Sequence, residues 1–176
     1  VFKTLQRLVQ RNELDPTKLS LVYAGREGGL YQALAAKYGL GDCVDNRGLV
    51  SFAASQKLQR SAQVNLMISW SSGGMSTFPA KFYEYVNARR PILLLVLGNE
   101  DLEFEAIFKT KEIGEMFYDR EHKKLEQYLD RQYKSWDSAG VVPYEGSEAD
   151  VEEFYWKDSF AVFDQYLRKM YPQKFG

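Results

Sequence analysis

One cysteine, one histidine, almost no net charge and no long apolar run set the first limits on this chain. Cys43 has no second cysteine to pair with, so an internal disulfide is excluded and a reducing compartment is favoured. A lone His122 excludes a histidine-rich metal site. The 23 basic side chains nearly balance the 24 acidic ones, so no strong field points to nucleic acid or to an acidic membrane surface. Twelve tyrosines form no basic stacking surface, which argues further against RNA. The longest apolar run, Pro91–Leu97, has the length of a buried strand and falls far short of the roughly 18–20 residues that span a bilayer. The opening VFKTLQRLVQRNELD is amphipathic, unlike the solid apolar core of a secretory signal. Because the chain starts at Val1 rather than methionine, further residues upstream are expected.

What is present reads as alternating strand and helix. Phe2, Leu5, Leu8 and Val9 share a helical face, and Asp15-Pro16 ends it. Leu19–Ala24 reads as a short buried strand. A helix from Gly28 to Tyr38 would bury Leu30, Leu34 and Tyr38, with Gly39 as its C-cap. A short strand over Cys43–Asn46 precedes a helix capped by Ser51, with Ala54, Leu58 and Ala62 inward. Val64–Ile68 and Pro91–Leu97 are the clearest strands, separated by a helix from about Pro79 to Ala88. The second of them, PILLLVL, is apolar on both faces and calls for helices on both sides. A helix over Glu100–Phe108, a strand over Glu115–Tyr118 and a long helix from Arg120 to Trp136 follow. Leu125, Leu129, Tyr133 and Trp136 would be the inward face of that long helix. The segment Gly140–Asp150 reads as irregular. A last helix over Val151–Met170 carries an apolar stripe of Phe163, Tyr166, Leu167 and Met170. The order predicts an α/β fold, a three-layer, doubly wound parallel sheet. Residues 1–140 would form the Rossmann-like domain, and residues 141–176 a linker and terminal helix packed on it.

Three glycine-bearing loops fall at strand ends, where open parallel sheets bind ligands. They are Gly25-Arg26-Glu27-Gly28-Gly29, Arg47-Gly48-Leu49-Val50, and Ser71 to Thr77. In the third, Gly73, Gly74, Met75, Ser76 and Thr77 lead into a helix start, where free amides and the helix dipole favour an anion such as a diphosphate. A plain strand–helix turn is the alternative reading. Lys81, Glu84 and Asn87 recur at three-residue spacing on the next helix. A carboxylate there can accept two hydrogen bonds from a ribose diol, or it can simply form an ion pair with Lys81. His122 reads as a surface residue, Cys43 as a buried small hydrophobe and Trp70 as core rather than a base-stacking platform. The stretch Glu148–Trp156 reads as packing for the terminal helix.

The pieces LVYAG, KYGLGDCVDNRGLVS, LQRSAQVNLMIS and FPAKFYEYVNARRPILLL, in this order and spacing, resemble the C-terminal, donor-binding domain of GT-B-type glycosyltransferases of the retaining, family-four-like kind. The likeness runs from Leu21 to about Leu129, and the last helix fits that family's crossover helix. It implies that Glu84 grips the nucleotide ribose and that Gly74, Met75, Ser76 and Thr77 offer backbone amides to the diphosphate, with Gly73 and Lys81 as further donor-site candidates beside them. It also implies that Gly48, Leu49 and Val50 line the nucleobase, while Gly25 and Arg26 stand nearby. Ser76 occupies the position where many members carry a first glutamate. The resemblance further implies a UDP-sugar or GDP-sugar donor, no obligatory metal or other cofactor, and a glycan or lipid-linked acceptor. The acceptor would be held mainly by an N-terminal domain that is missing here. The setting would be cytoplasmic, at the inner face of the membrane, with any peripheral membrane contact made by the missing domain. No catalytic residue is assigned. A nucleotide-sugar epimerase of similar fold and a non-catalytic Rossmann-like binding module are the alternatives.

Overall fold

The computed structural model describes residues 1–73, 78–152, 154 and 156–175. Strands β1 (Leu21–Tyr23) and β2 (Val44–Asn46) pair in parallel, with Leu21 opposite Val44. Strands β3 (Asn65–Ser71), β4 (Ile92–Gly98) and β5 (Gly114–Tyr118) form a second parallel sheet in that order. Met67 stands opposite Leu94, and Leu95 opposite Phe117. The α/β class and parallel pairing match the expectation, but the strands are divided into two sheets.

Helices α1 (Phe2–Gln10), α2 (Gly28–Ala36), α3 (Phe52–Ser61), α4 (Ala80–Ala88), α5 (Leu102–Thr110) and α6 (His122–Ala139) alternate with the strands. Strand β4 organises the larger sheet because its side chains are apolar on both faces. Ile92, Leu94 and Val96 meet Phe82 and Val86 of α4 and Phe104 of α5. Leu93 and Leu95 meet Phe117 together with Leu125, Tyr128 and Leu129 of α6. In the smaller sheet, Leu21 and Val44 pack with Leu5 and Leu8 of α1, Ala35 of α2, and Leu129 and Tyr133 of α6. Leu129 belongs to both groups, so α6 lies across the two sheets on one side.

Local chemistry sets the element ends. Ser51 Oγ accepts from Ala54 N at 3.2 Å and starts α3, as its sequence position suggests. Asp101 Oδ1 accepts from Phe104 N at 3.1 Å and caps α5. Pro79 precedes α4 without any side-chain cap. Gly114 starts β5 with φ +148, and a Cβ there would collide with the backbone of Ile92.

Several expectations need correction. In α2 the buried residues are Gly28 and Ala35, while Leu30 and Leu34 are exposed, because small residues let the helix lie close to the sheet. Trp70 is 74% exposed rather than core, since it sits near the end of a strand whose outer edge has no partner strand among the described residues. Over the expected last helix lie α7 (Glu148–Glu152), which starts within the segment expected to be irregular, and α8 (Trp156–Met170), followed by α9 (Pro172–Phe175). On α8, Phe163, Tyr166 and Met170 are exposed. No helix among the described residues is long and apolar enough to cross a membrane.

Phe82 is fully buried, so Phe82→Ala is expected to cost about 3–5 kcal/mol in a urea titration. The Tyr128 hydroxyl is buried with no hydrogen-bond partner among the described residues, and burial raises its pKa. Tyr128→Phe should therefore leave stability equal or raise it by up to about 1 kcal/mol, the opposite of what deleting a satisfied hydroxyl does.

Candidate functional site

Two loop pairs are built at the carboxyl ends of the strands. In the first, Gly25 N donates to Gly48 O at 2.8 Å and Arg47 N donates to Tyr23 O at 2.8 Å, which clasps the β1 loop to the β2 loop. Gly48 has φ +59, and its amide donates to Asn46 Oδ1 at 3.1 Å. The Asn46 side chain also lies over Gly28, leaving no room for a Cβ at the start of α2. Asn46 thus holds two of the three glycine loops in register, a role that its sequence position does not announce. Arg47 turns back onto Asp45, with Nε and Nη2 at 2.8 and 2.5 Å from Oδ2. Arg26 is exposed and makes no ion pair among the described residues. Beside this clasp, Leu49 is 73% and Phe52 65% exposed, an apolar pair presented to solvent, while Val50 is half-buried.

The second pair joins the ends of β3 and β4. Gly98 carries φ +88, and a Cβ there would stand 2.5 Å from Ser71 O. Gly73 N and Ser71 Oγ meet at 3.2 Å, and Ser71 Oγ donates to Glu100 O at the same distance. Asn99 Nδ2 donates to Ser72 O at 2.7 Å. Gly73 is therefore anchored from both strands. Gly74, Met75, Ser76 and Thr77 lie outside the described residues.

Glu84 is on α4, and its side chain is 20% exposed. Its Oε2 accepts from Lys81 Nζ at 2.7 Å and from Gln59 Nε2 at 2.7 Å. Gln59 is buried on α3 and its Nε2 also donates to Ser55 Oγ, while its backbone carbonyl accepts from Asn65 Nδ2. The Glu84 carboxylate is thus positioned by two helices. Burial pushes its pKa up, but the hydrogen bonds from Lys81 and Gln59 and the charge of Lys81 outweigh this and hold it below the ordinary value. Lys81 and Glu84 are brought together, as their spacing suggested. Gln59 could not be found by local spacing, because it lies 25 residues away. Among the described residues no hydrogen bond links the Gly25–Gly48 clasp to Gly73 or to Glu84.

The remaining candidates fall as residue type suggests. His122 is exposed at the first turn of α6. Cys43 is buried, and burial pushes its thiol pKa up, away from a reactive thiolate. The most perturbed group with polar partners is Tyr118. Its pKa is pushed up to about 12, chiefly by burial, with hydrogen bonding to Glu105 adding to the effect against an opposing bond from Asp101 N. This cluster locks β5 to the start of α5 and fills that helix's N-terminus with the chain's own carboxylates.

In comparisons with known proteins, no family model matches this chain and no curated sequence matches it.

Because the folded Glu84 carboxyl is held below its unfolded value, its interactions stabilise the protein fully above about pH 4.5 and are lost as the pH falls through the folded value. The melting midpoint of the parent should therefore exceed that of Glu84→Gln most near neutral pH, with the gap narrowing below about pH 4.5. A gap that stays constant from about pH 3 to about pH 7 would mean that the Lys81–Gln59 cradle does not stabilise the charged form.

Proposed function

We propose that this chain is the nucleotide-sugar-binding half of a glycosyltransferase, a Rossmann-like domain with the strands of both sheets wound into one three-layer arrangement. The observation that carries this reading is Glu84. It is a part-buried carboxylate, kept ionised by Lys81 and Gln59, on a helix whose first turn has no side-chain cap. An ionised carboxylate can accept from the two hydroxyls of a ribose. The uncapped amides of α4, with Lys81 in its first turn, offer positive potential to a diphosphate. Exposed Leu49 beside the Gly25–Gly48 clasp supplies an apolar seat for a nucleobase. Gly74, Met75, Ser76 and Thr77 would complete the diphosphate contacts, and Arg26 would add a mobile cation at the rim.

In the reaction, the bond between the anomeric carbon and the diphosphate oxygen breaks. A bond from that carbon to an acceptor hydroxyl oxygen forms, and the hydroxyl proton passes to the departing diphosphate. This domain's part is to bind the nucleotide and to stabilise charge growing on the departing diphosphate through amides, helix dipole and Lys81. The acceptor, a glycan or lipid-linked sugar, would be held by a second domain, which would also carry any contact with the inner face of a membrane. Ser76, where the resembled family often has a glutamate, leaves the sugar less firmly held and makes a non-catalytic nucleotide-binding module the second reading.

Calorimetric titration of the chain with UDP, GDP and their sugars tests this. One nucleotide should bind, and Glu84→Ala should weaken it at least about tenfold, the loss of roughly 1.4 kcal/mol. Absence of binding by all of them, or binding unaffected by Glu84→Ala, would overturn the donor-site assignment.

A further inference from the structure

Between them, Gln59 and Glu84 keep two hydrogen-bonding positions in reserve, and both are acceptors. Gln59 is 7% exposed, and its Nε2 carries two protons. One goes to Ser55 Oγ at 3.0 Å and the other to Glu84 Oε2 at 2.7 Å. An ionised carboxylate can only accept, so Glu84 fixes the amide with its nitrogen inward and its oxygen turned elsewhere. Gln59 Oε1 accepts from no group among the described residues. Glu84 is divided in the same way. Its Oε2 holds Lys81 Nζ and Gln59 Nε2, while its Oε1 takes no donor among the described residues.

We infer that Gln59 Oε1 and Glu84 Oε1 receive the two neighbouring hydroxyls of a ribose, one hydroxyl each, so that Gln59 is a binding residue that selects ribonucleotides over deoxyribonucleotides. This rests on the donor-site reading above and adds to it a residue from a second helix.

Hydrogen-bond capacity carries the argument first. A carboxylate alone could take both hydroxyls, but Glu84 Oε2 already holds two donors, which matches its two lone pairs. A hydroxyl arriving there would have to displace Lys81 or Gln59. The second hydroxyl finds an unused acceptor only on Gln59.

Reach agrees with this. Amide bond lengths of about 1.23 and 1.33 Å place Gln59 Oε1 within about 2.6 Å of its Nε2, and so within about 5 Å of Glu84 Oε2. Hydroxyls on adjacent carbons, each reaching about 2.7 Å to its acceptor, span that interval.

Burial and rigidity point the same way. An acceptor without a partner on a buried side chain is rare, and Gln59 Oε1 is not among the atoms sealed off from solvent. The amide is also held still. Ser51 caps α3, Asn65 Nδ2 holds the Gln59 backbone carbonyl at 3.1 Å, and both amide protons are engaged. A ligand hydroxyl therefore meets an acceptor that has little rotamer freedom left to lose. Both free atoms are acceptors beside a negative charge, so they repel phosphate oxygens and leave the diphosphate to Lys81 and the start of α4. A site built to accept from a hydroxyl discriminates against the analogue that lacks it.

The test is calorimetry of the chain with UDP and GDP and with the 2′-deoxy and 3′-deoxy forms of whichever nucleotide binds. The parent should bind the ribonucleotide about tenfold or more tightly than either deoxy form. In Gln59→Met, one of these two ratios should fall to about one while the other persists. Gln59→Asn keeps an amide on α3 but withdraws it by one carbon, and it should give the same one-sided loss. A parent that binds all three forms alike overturns the inference without any variant. Both ratios persisting in the two variants would leave the whole diol to Glu84 and overturn it. Both ratios falling together would make Gln59 a positioning residue for Glu84 and overturn the direct contact. Failure of the parent to bind UDP or GDP at all is a separate outcome, which rejects the donor-site reading itself and this inference with it.

Discussion

Ile92, Leu94 and Val96 face α4 and α5 while Leu93 and Leu95 face α6, and the rest of the structure depends on this two-sided burial of one strand. Each such side chain contributes about 1.5–3 kcal/mol when fully removed from water. Polar backbone buried on both sides must be paired, and β3 and β5 pair it in register from Ile92 to Gly98 and from Ile92 to Val96. The flanking constraints follow from this. Gly114 is tolerated at φ +148 because β5 must start against the Ile92 backbone, and Gly98 is required where β4 passes close to Ser71 O. The loops at the strand ends inherit their positions from a strand that cannot shift without exposing one of its faces.

The polar site is built on this frame by long-range partners. Helix α4 is held through Phe82 and Val86, which fixes where Glu84 can reach. Glu84 then takes its second donor from α3, so the carboxylate is locked by two elements that are themselves locked to the sheet. A charged group held in this way loses little rotamer freedom when it meets a ligand, and this is what a binding carboxylate needs. The glycine loops of β1 and β2 are treated differently. They are joined to each other by backbone bonds and covered by Asn46, and they present Leu49 and Arg26 rather than bury them.

The smaller sheet shows what happens where two-sided burial fails. Strand β1 has three residues, and only Leu21 and Tyr23 are half-buried, with Val22 exposed between them. The α1, α2 and α6 side is filled, but the strand's free edge is not. Strand β3 carries the same imbalance near its end, where Ile68 and Trp70 stand exposed on the α6 side while Met67 on the other face is buried.

Much of the architecture could be read from the chain itself. The strands around Leu21–Tyr23, Leu66–Ile68 and Ile92–Leu97, and the helix cap at Ser51, are local patterns that a few neighbouring residues decide, because helix and strand periods are set by backbone geometry. The pairing of Lys81 with Glu84 is local in the same sense, at one helical turn. Other features were decided only by tertiary structure. Ala35 rather than Leu30 faces the core, since which side of a weakly amphipathic helix is buried depends on how closely the helix approaches the sheet. Trp70 is exposed because its fate depends on whether a neighbouring strand is present, not on its own apolar character. Gln59 joins Glu84, and Asn46 seats against Gly28, across 25 and 18 residues of chain. Such partnerships are chosen by the packing of whole elements, and no spacing rule within one element can report them.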